Sequence, residues 1–232
     1  MAVVTRSIRL MVVTAHPDDA EIFMWGSLCA WQHAGATICL VVATSGEAGI
    51  RSGQAVPDFA ARREGEATAA AAALGIAPDF LRLSDGGLAG VRQSQLAQAL
   101  TDRINAFKPD VVLTHAHIDY HADHRALADA VQHAASFRVP VLYADPLGGV
   151  GFEPTIYIDV TPYRDAKAAA IRCHASQDPE RFVSRADLQN QWRAFQCNGQ
   201  LEDRAEAFRF EPRYPFTDIR CLLPAAPAIK QL

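Results

Sequence analysis

Four short apolar runs, each followed by a stretch of helical periodicity, constrain the fold of this chain more than any other feature. They are "IRLMVVT" ending at Thr14, "ATICLVVAT" ending at Thr44, "DFLRLS" ending at Ser84 and "PDVVLTH" ending at His115. Helical patterns follow them at 19–34, at "AARREGEATAAAAALG" with its glycine stop at Gly75, at 94–107 and at 121–135. Strands that alternate with helices and are apolar throughout belong inside a mostly parallel sheet covered by helices. A further run, "PVLYA", continues the series. Past Gly148 the pattern loosens: "TIYIDVT" predicts a strand and 164–174 a helix, and the stretch from about 178 has no clear period. With no linker and no internal repeat, the whole of 1–232 reads as one α/β domain with a less regular C-terminal extension.

Composition narrows the function classes. The net charge is −4, from 22 basic and 26 acidic residues, and neither sign forms a block. That excludes the basic stripe of a nucleic-acid binder. The apolar runs are too short and too punctuated to span a membrane, and the start "MAVVTRSIRLMVV" lacks the shape of a signal peptide. The five cysteines, Cys29, Cys39, Cys173, Cys197 and Cys221, are scattered and never spaced C-x-x-C. Such a pattern predicts reduced thiols and a cytoplasmic protein.

Two of the strands end in ionisable groups: "VVTAHPDD" and "VVLTHAHIDYHADH". Ligands of open parallel sheets gather at the carboxyl ends of strands, where the strand order reverses. Pro17 biases His16 towards an extended backbone and lets a helix begin directly after it. Asp18 and Asp19 then fall in the first turn, where free amides favour carboxylates. Taken alone, the aspartate pair is a helix cap and H-x-x-H a solvated helix start. Together they offer a histidine and an aspartate from one strand end and a histidine from the other. Three N/O ligands without a nearby thiolate are the composition of a catalytic zinc site. A cation there offsets the crowding of two carboxylates, with His16 and Asp19 as ligands and Asp18 left to take a proton from the attacking water. His115 and His117 remain alternative ligands.

The motifs "AHPDDAE", "SGEAG", "RREGEATAAAAALG", "THAHIDYHADH" and "KAAAIRCHASQ", in this order, resemble those of the LmbE / PIG-L-like family of zinc-dependent N-deacetylases over about residues 8–177. The resemblance implies a three-layer Rossmann-like sheet with helices on both faces and the metal at the strand C-terminal ends. It implies removal of an N-acetyl group from an amino sugar or related small molecule, and favours a homo-oligomer. By the same resemblance His16, Asp19 and His124 hold Zn2+ (or Fe2+), Asp18 is the general base, and His121 is the acid or electrophilic group with Asp123 as its neighbour. Arg63 matches the arginine turned towards substrate. "HADH" stands where many members have "HPDH", which leaves the ligands in register. A minority branch resembles hydratases of unsaturated dicarboxylic acids, the alternative activity for this scaffold.

His121 is expected to be protonated and held so by Asp123, and to stabilise an oxyanion. Glu47 and Arg51 lie on the long loop after the second strand, at the pocket rim or in solvent. His174, in "HASQ", takes a structural or pocket-edge place through the resemblance. "YADPLGGVGFEP" reads as a second turn-rich rim, and no G-K-[ST] follows that would make it a phosphate loop. The aromatic residues Trp192, Phe195, Phe208, Phe210 and Phe216 predict either completion of the pocket or contact with another subunit.

Overall fold

The computed structural model describes residues 7–50 and 57–224. Its sheet contains β1 (Arg9–Thr14), β2 (Thr37–Thr44), β3 (Asp79–Leu83), β4 (Val111–His115), β5 (Val141–Ala144), β6 (Ile156–Asp159) and β7 (Ala205–Phe210). The helices are α1 (Asp19–Phe23), α2 (Trp25–His33), α3 (Phe59–Ala71), α4 (Gln93–Phe107), α5 (Ala122–Ala135), α6 (Arg164–Arg172) and α7 (Pro179–Gln196). Spatial order is β3-β2-β1-β4-β5-β7-β6; β1 to β5 run parallel, and β7 is antiparallel to both of its neighbours.

Side-chain alternation along the strands builds three layers. Leu10 and Val12 of β1 face one way, with Leu40, Val42, Leu113 and Phe208, and pack under Phe23, Trp25, Leu28 and Trp31. Met11 and Val13 face the other way, with Val41, Ala43 and Val112, against Leu96 and Leu100 of α4 and Leu127 and Val131 of α5. Both faces are covered, which is why the strands read as unbroken apolar runs. Strand order reverses between β1 and β4, so the two histidine-bearing ends lie side by side at the switch point.

Two elements differ from the sequence expectation. The single helix expected over 19–34 is broken at Met24, whose φ of −145° is not helical. The cause is distant in sequence: Glu206 on β7 accepts hydrogen bonds from the amides of Gly26 (3.0 Å) and Ser27 (2.8 Å), capping a new helix start. Gly26 is required there, since a Cβ would come within 2.6 Å of the Val160 side chain. Lys167 bonds the same carboxylate at 2.5 Å, so the buried charge is paired. The second difference is the stretch from 178, which forms the 18-residue α7 and then β7 inside the sheet. Phe208 belongs to the chain's own core and Phe210 packs at its edge, whereas Trp192 and Phe195 are exposed.

Candidate active site

β1 ends at Thr14, and a helix begins directly after Pro17 as expected, with Asp18 at the N-cap position of α1. Its carboxylate makes no cap hydrogen bond. Instead Oδ1 accepts from Arg63 Nη2 at 2.8 Å, and Arg63, 3 % exposed, also donates from Nη1 to the Gly46 carbonyl at 2.9 Å. Gly46, at φ +67°, must be glycine because a Cβ would collide with that guanidinium. The helix-cap account of the aspartate pair therefore fails for Asp18. Its Oδ2 makes no hydrogen bond among the described residues, and the residue lines a cavity of about 320 Å³.

Asp19, His16 and His124 come together beside it. Asp19 Oδ2 lies 3.2 Å from His16 Nδ1 and 3.4 Å from His124 Nε2, and the two imidazole nitrogens are 3.2 Å apart. Ligands about 2.0–2.1 Å from a tetrahedral zinc stand roughly 3.3–3.4 Å from one another. This triangle has that spacing, so the donor set fits a divalent cation with room for a further ligand. The cluster is set at the carboxyl ends of the strands, and its overlapping groups can hold such an ion.

Each donor is aimed by a neighbour. His124 Nδ1 meets Asp119 Oδ2 at 2.8 Å, which leaves Nε2 facing the triangle. His16 turns Nε2 towards Asp85 Oδ1 (3.1 Å) and Asp123 Oδ2 (3.6 Å), ionic contacts rather than aligned hydrogen bonds, and so presents Nδ1. The His16 amide donates to Asp19 Oδ2 at 2.7 Å. Burial lowers the affinity of His16 and His124 for protons, but the surrounding carboxylates, led by Asp19, outweigh it. His16 is pushed well above the ordinary imidazole value and His124 up to about 9. Asp19, which burial alone would raise, is held well below the carboxylate range by His124, His115 and His16.

Several residues stand elsewhere than the sequence suggested. His115 is close to Asp19 Oδ2 (3.1 Å), but its Nε2 accepts from the Ala15 amide at 3.0 Å and its lone pair is spent. Burial takes it down to about 4, a neutral ring stacked on His124 at 3.7 Å. His117 points away, to Asp129 at 2.7 Å. Asp123 is fully buried and does not hold a protonated His121: its carboxylate accepts from the amides of Gly86 (2.7 Å) and Leu88 (3.0 Å). The only bond between the two runs from the Asp123 amide to His121 Nδ1 (3.2 Å) at the start of α5. Burial and the charges of His16 and His124 lower the pKa of His121, so the neutral ring, carrying its proton on Nε2, is the form to expect.

Glu47 is half-buried and accepts from the Asp85 amide at 2.9 Å, tying the loop after β2 to the loop after β3. Arg51 lies outside the described residues. His174 is 2 % exposed and not on the cavity wall; it faces Glu21 Oε2 at 3.3 Å behind Asp18. Burial pushes the Glu21 carboxyl up, and that carboxyl in turn keeps His174 above its ordinary value against the pull of burial. The neighbouring Ser176 is pinned by Glu66 of α3 (2.6 Å), and Gln177 reaches the wall. Sequence reasoning missed Asp85 and Asp119. Asp119 sits within "HIDYH", and Asp85 follows the third strand, so a carboxylate at a strand end was the signal for both.

The PIG-L family model, described as GlcNAc-PI de-N-acetylase, matches residues 11–135, more than half of the chain. The chain belongs to the PIG-L family. Its relatives include the 1D-myo-inositol 2-acetamido-2-deoxy-alpha-D-glucopyranoside deacetylase of Mycobacteroides abscessus, 30% identical, with 73% of this chain and 81% of the relative covered. Among solved structures, N,N'-diacetylchitobiose deacetylase from Pyrococcus horikoshii aligns with a TM-score of 0.77 at 20% identity, over 88% of this chain and 84% of that one. GalB, the 4-carboxy-2-hydroxymuconate hydratase from Pseudomonas putida KT2440, aligns with a TM-score of 0.75 at 25% identity, over 89% and 97%. The PIG-L family match spans both arms of the triangle, from β1 to the end of α5.

Proposed function

We propose that this chain is a metal-dependent N-deacetylase that hydrolyses the acetamide of an amino sugar or a related small molecule. The observation that carries the reading is Asp18, a carboxylate held beside the three-donor triangle but not part of it, with one oxygen clamped by Arg63 and the other unengaged among the described residues. In this proposal His16, Asp19 and His124 would hold Zn2+ or Fe2+, and such an ion would supply Lewis-acid polarisation of the amide carbonyl and a more acidic water. Asp18 takes the proton of that attacking water on Oδ2, while Arg63, bonded to Oδ1, fixes the orientation of the carboxylate. His121, at the cavity wall, donates a hydrogen bond from Nε2 to the carbonyl oxygen as water adds and negative charge builds there. As the C–N bond breaks, Asp18 passes its proton to the leaving amine, which yields acetate and the free amino sugar. Asp123 acts through His16 and the β3 loop rather than on substrate.

A second reading has a specific support. The likeness to the hydratase GalB leaves open addition of water to an activated C=C bond of an unsaturated dicarboxylate. The zinc-loaded protein assayed on N-acetylated sugars and on unsaturated dicarboxylates separates the two. Acetate released from the first panel bears out the deacetylase. Loss of conjugated ultraviolet absorbance on the second, without acetate, overturns it in favour of the hydratase.

The remaining parts of the proposal are a single domain, a cytoplasmic location and a homo-oligomer. All five cysteines are free, in keeping with a reducing compartment. Among the described residues no helix is long and apolar enough to cross a membrane. The acidic balance supports a small-molecule ligand rather than a nucleic acid. Exposed Phe195 supports a subunit contact, and light scattering at 25.2 kDa across micromolar concentrations would refute one.

A further inference from the structure

The cavity over the metal triangle does not end at Tyr120. Tyr120 and Leu147 line it and also line a second cavity of about 510 Å³, walled by α7 and the loop carrying Gly148 and Gly149. On α7, Arg181, Arg185, Leu188 and Trp192 recur at i, i+4, i+7 and i+11, a spacing that places them on one face, and all four line this cavity. Among the described residues no aspartate or glutamate lines it. A third arginine, Arg193, is buried and already neutralised by Asp145 through two bonds of 2.6 and 2.8 Å. Arg181 and Arg185 are exposed, and neither guanidinium has an ion pair or hydrogen bond among the described residues. A chain of net charge −4 thus has a cavity, joined to its reaction site, whose uncompensated charge is positive. Trp192 at 53 % exposure and Tyr120 at 66 % add two open aromatic faces.

We propose that this second cavity receives an anionic group, a phosphate or a carboxylate, carried by the substrate beyond the bond that reacts, with Arg181 and Arg185 as its partners. Guanidinium groups bind such oxyanions with charge-assisted, often bidentate hydrogen bonds. The aromatic faces of Tyr120 and Trp192 flank the part of the substrate that connects the two ends. The inference rests on the proposed function only in placing the reacting group over the triangle.

The test is equilibrium binding to the zinc-loaded protein by calorimetry. The probes are N-acetylglucosamine, its 1- and 6-phosphates, and cis,cis-muconate; the proteins are wild type, Arg181→Gln, Arg185→Gln and the double variant. A phosphorylated sugar should bind wild type about ten- to a hundredfold more tightly than the neutral sugar, the span of one to two charged hydrogen bonds. High salt should shrink that advantage and the double variant should lose it, with neutral-sugar affinity unchanged as the check on an intact site. Muconate binding that depends on the same arginines, without a phosphate preference, assigns the anion to a carboxylate. Equal binding of neutral and anionic probes by wild type, or undiminished anion affinity in the double variant, overturns the proposal. If no substrate is turned over, the deacetylase reading fails, while the binding comparison still decides the anion site.

Discussion

Removing the metal should turn the triangle into a proton trap, and its depth follows from the geometry. With only side chains around it, His124 sits at about 9, because Asp19 and Asp119 outweigh burial, and His16 is raised as well. A cation must displace those protons before it can bind. At pH 7 an imidazole of pKa about 9 is deprotonated roughly one time in a hundred, so zinc affinity should sit about a hundredfold below its limit from His124 alone. The logarithm of affinity should climb by about one to two per pH unit between pH 6 and 8. Ordinary imidazoles near 6.5 would each carry only about a quarter of a proton at pH 7, and the climb would already be levelling off. The sign for stability is the reverse. A folded-state pKa raised above the unfolded one stabilises fully below about 6.5 and stops doing so as pH rises through about 9. At ~1.4 kcal/mol per unit, that is about 3 kcal/mol for His124. The assay is an NMR titration of the imidazoles in chelator-stripped protein, with zinc affinity and thermal melting measured over the same range. Ring shifts of His16 and His124 that titrate near 6.5, with zinc affinity flat above pH 7, would refute the reasoning.

Other outcomes follow from the same site. Asp18→Asn keeps the size of the side chain but loses its basicity, so kcat should fall about 10²–10⁴-fold with metal content intact. Asp19→Asn should lose metal and activity together and recover partly in excess zinc; a swap of these two phenotypes in a zinc titration would show the carboxylates assigned the wrong way round. Asp119→Ala removes the partner of His124 Nδ1 at 2.8 Å, and competition with a chelating dye should show about 10–100-fold weaker metal binding. Unchanged affinity there would mean that Asp119 does not orient the ligand.

Much of this molecule was legible in the chain itself. Apolar runs and glycine or proline stops placed the strands of the parallel sheet, because burial on both faces leaves an unbroken apolar signature. The adjacency of "HPDD" to one run and of "THAHIDYHADH" to another marked both arms of the site, since a ligand at a strand end needs no information beyond its own strand. What the sequence could not carry is every relation between segments that pattern alone does not pair. Glu206 breaks a helix 180 residues before it, and Arg63 pulls Asp18 off its helix cap. Asp123 holds backbone amides and not His121, while Asp85 and Asp119 aim the rings of His16 and His124. His174 is turned inward on Glu21, and α7 closes a second cavity with its arginines. Periodicity records whether a side chain is buried, which its own element decides. Which carboxylate meets which imidazole is decided only when the sheet order and the helix packing bring them within hydrogen-bonding distance, and that belongs to the tertiary structure.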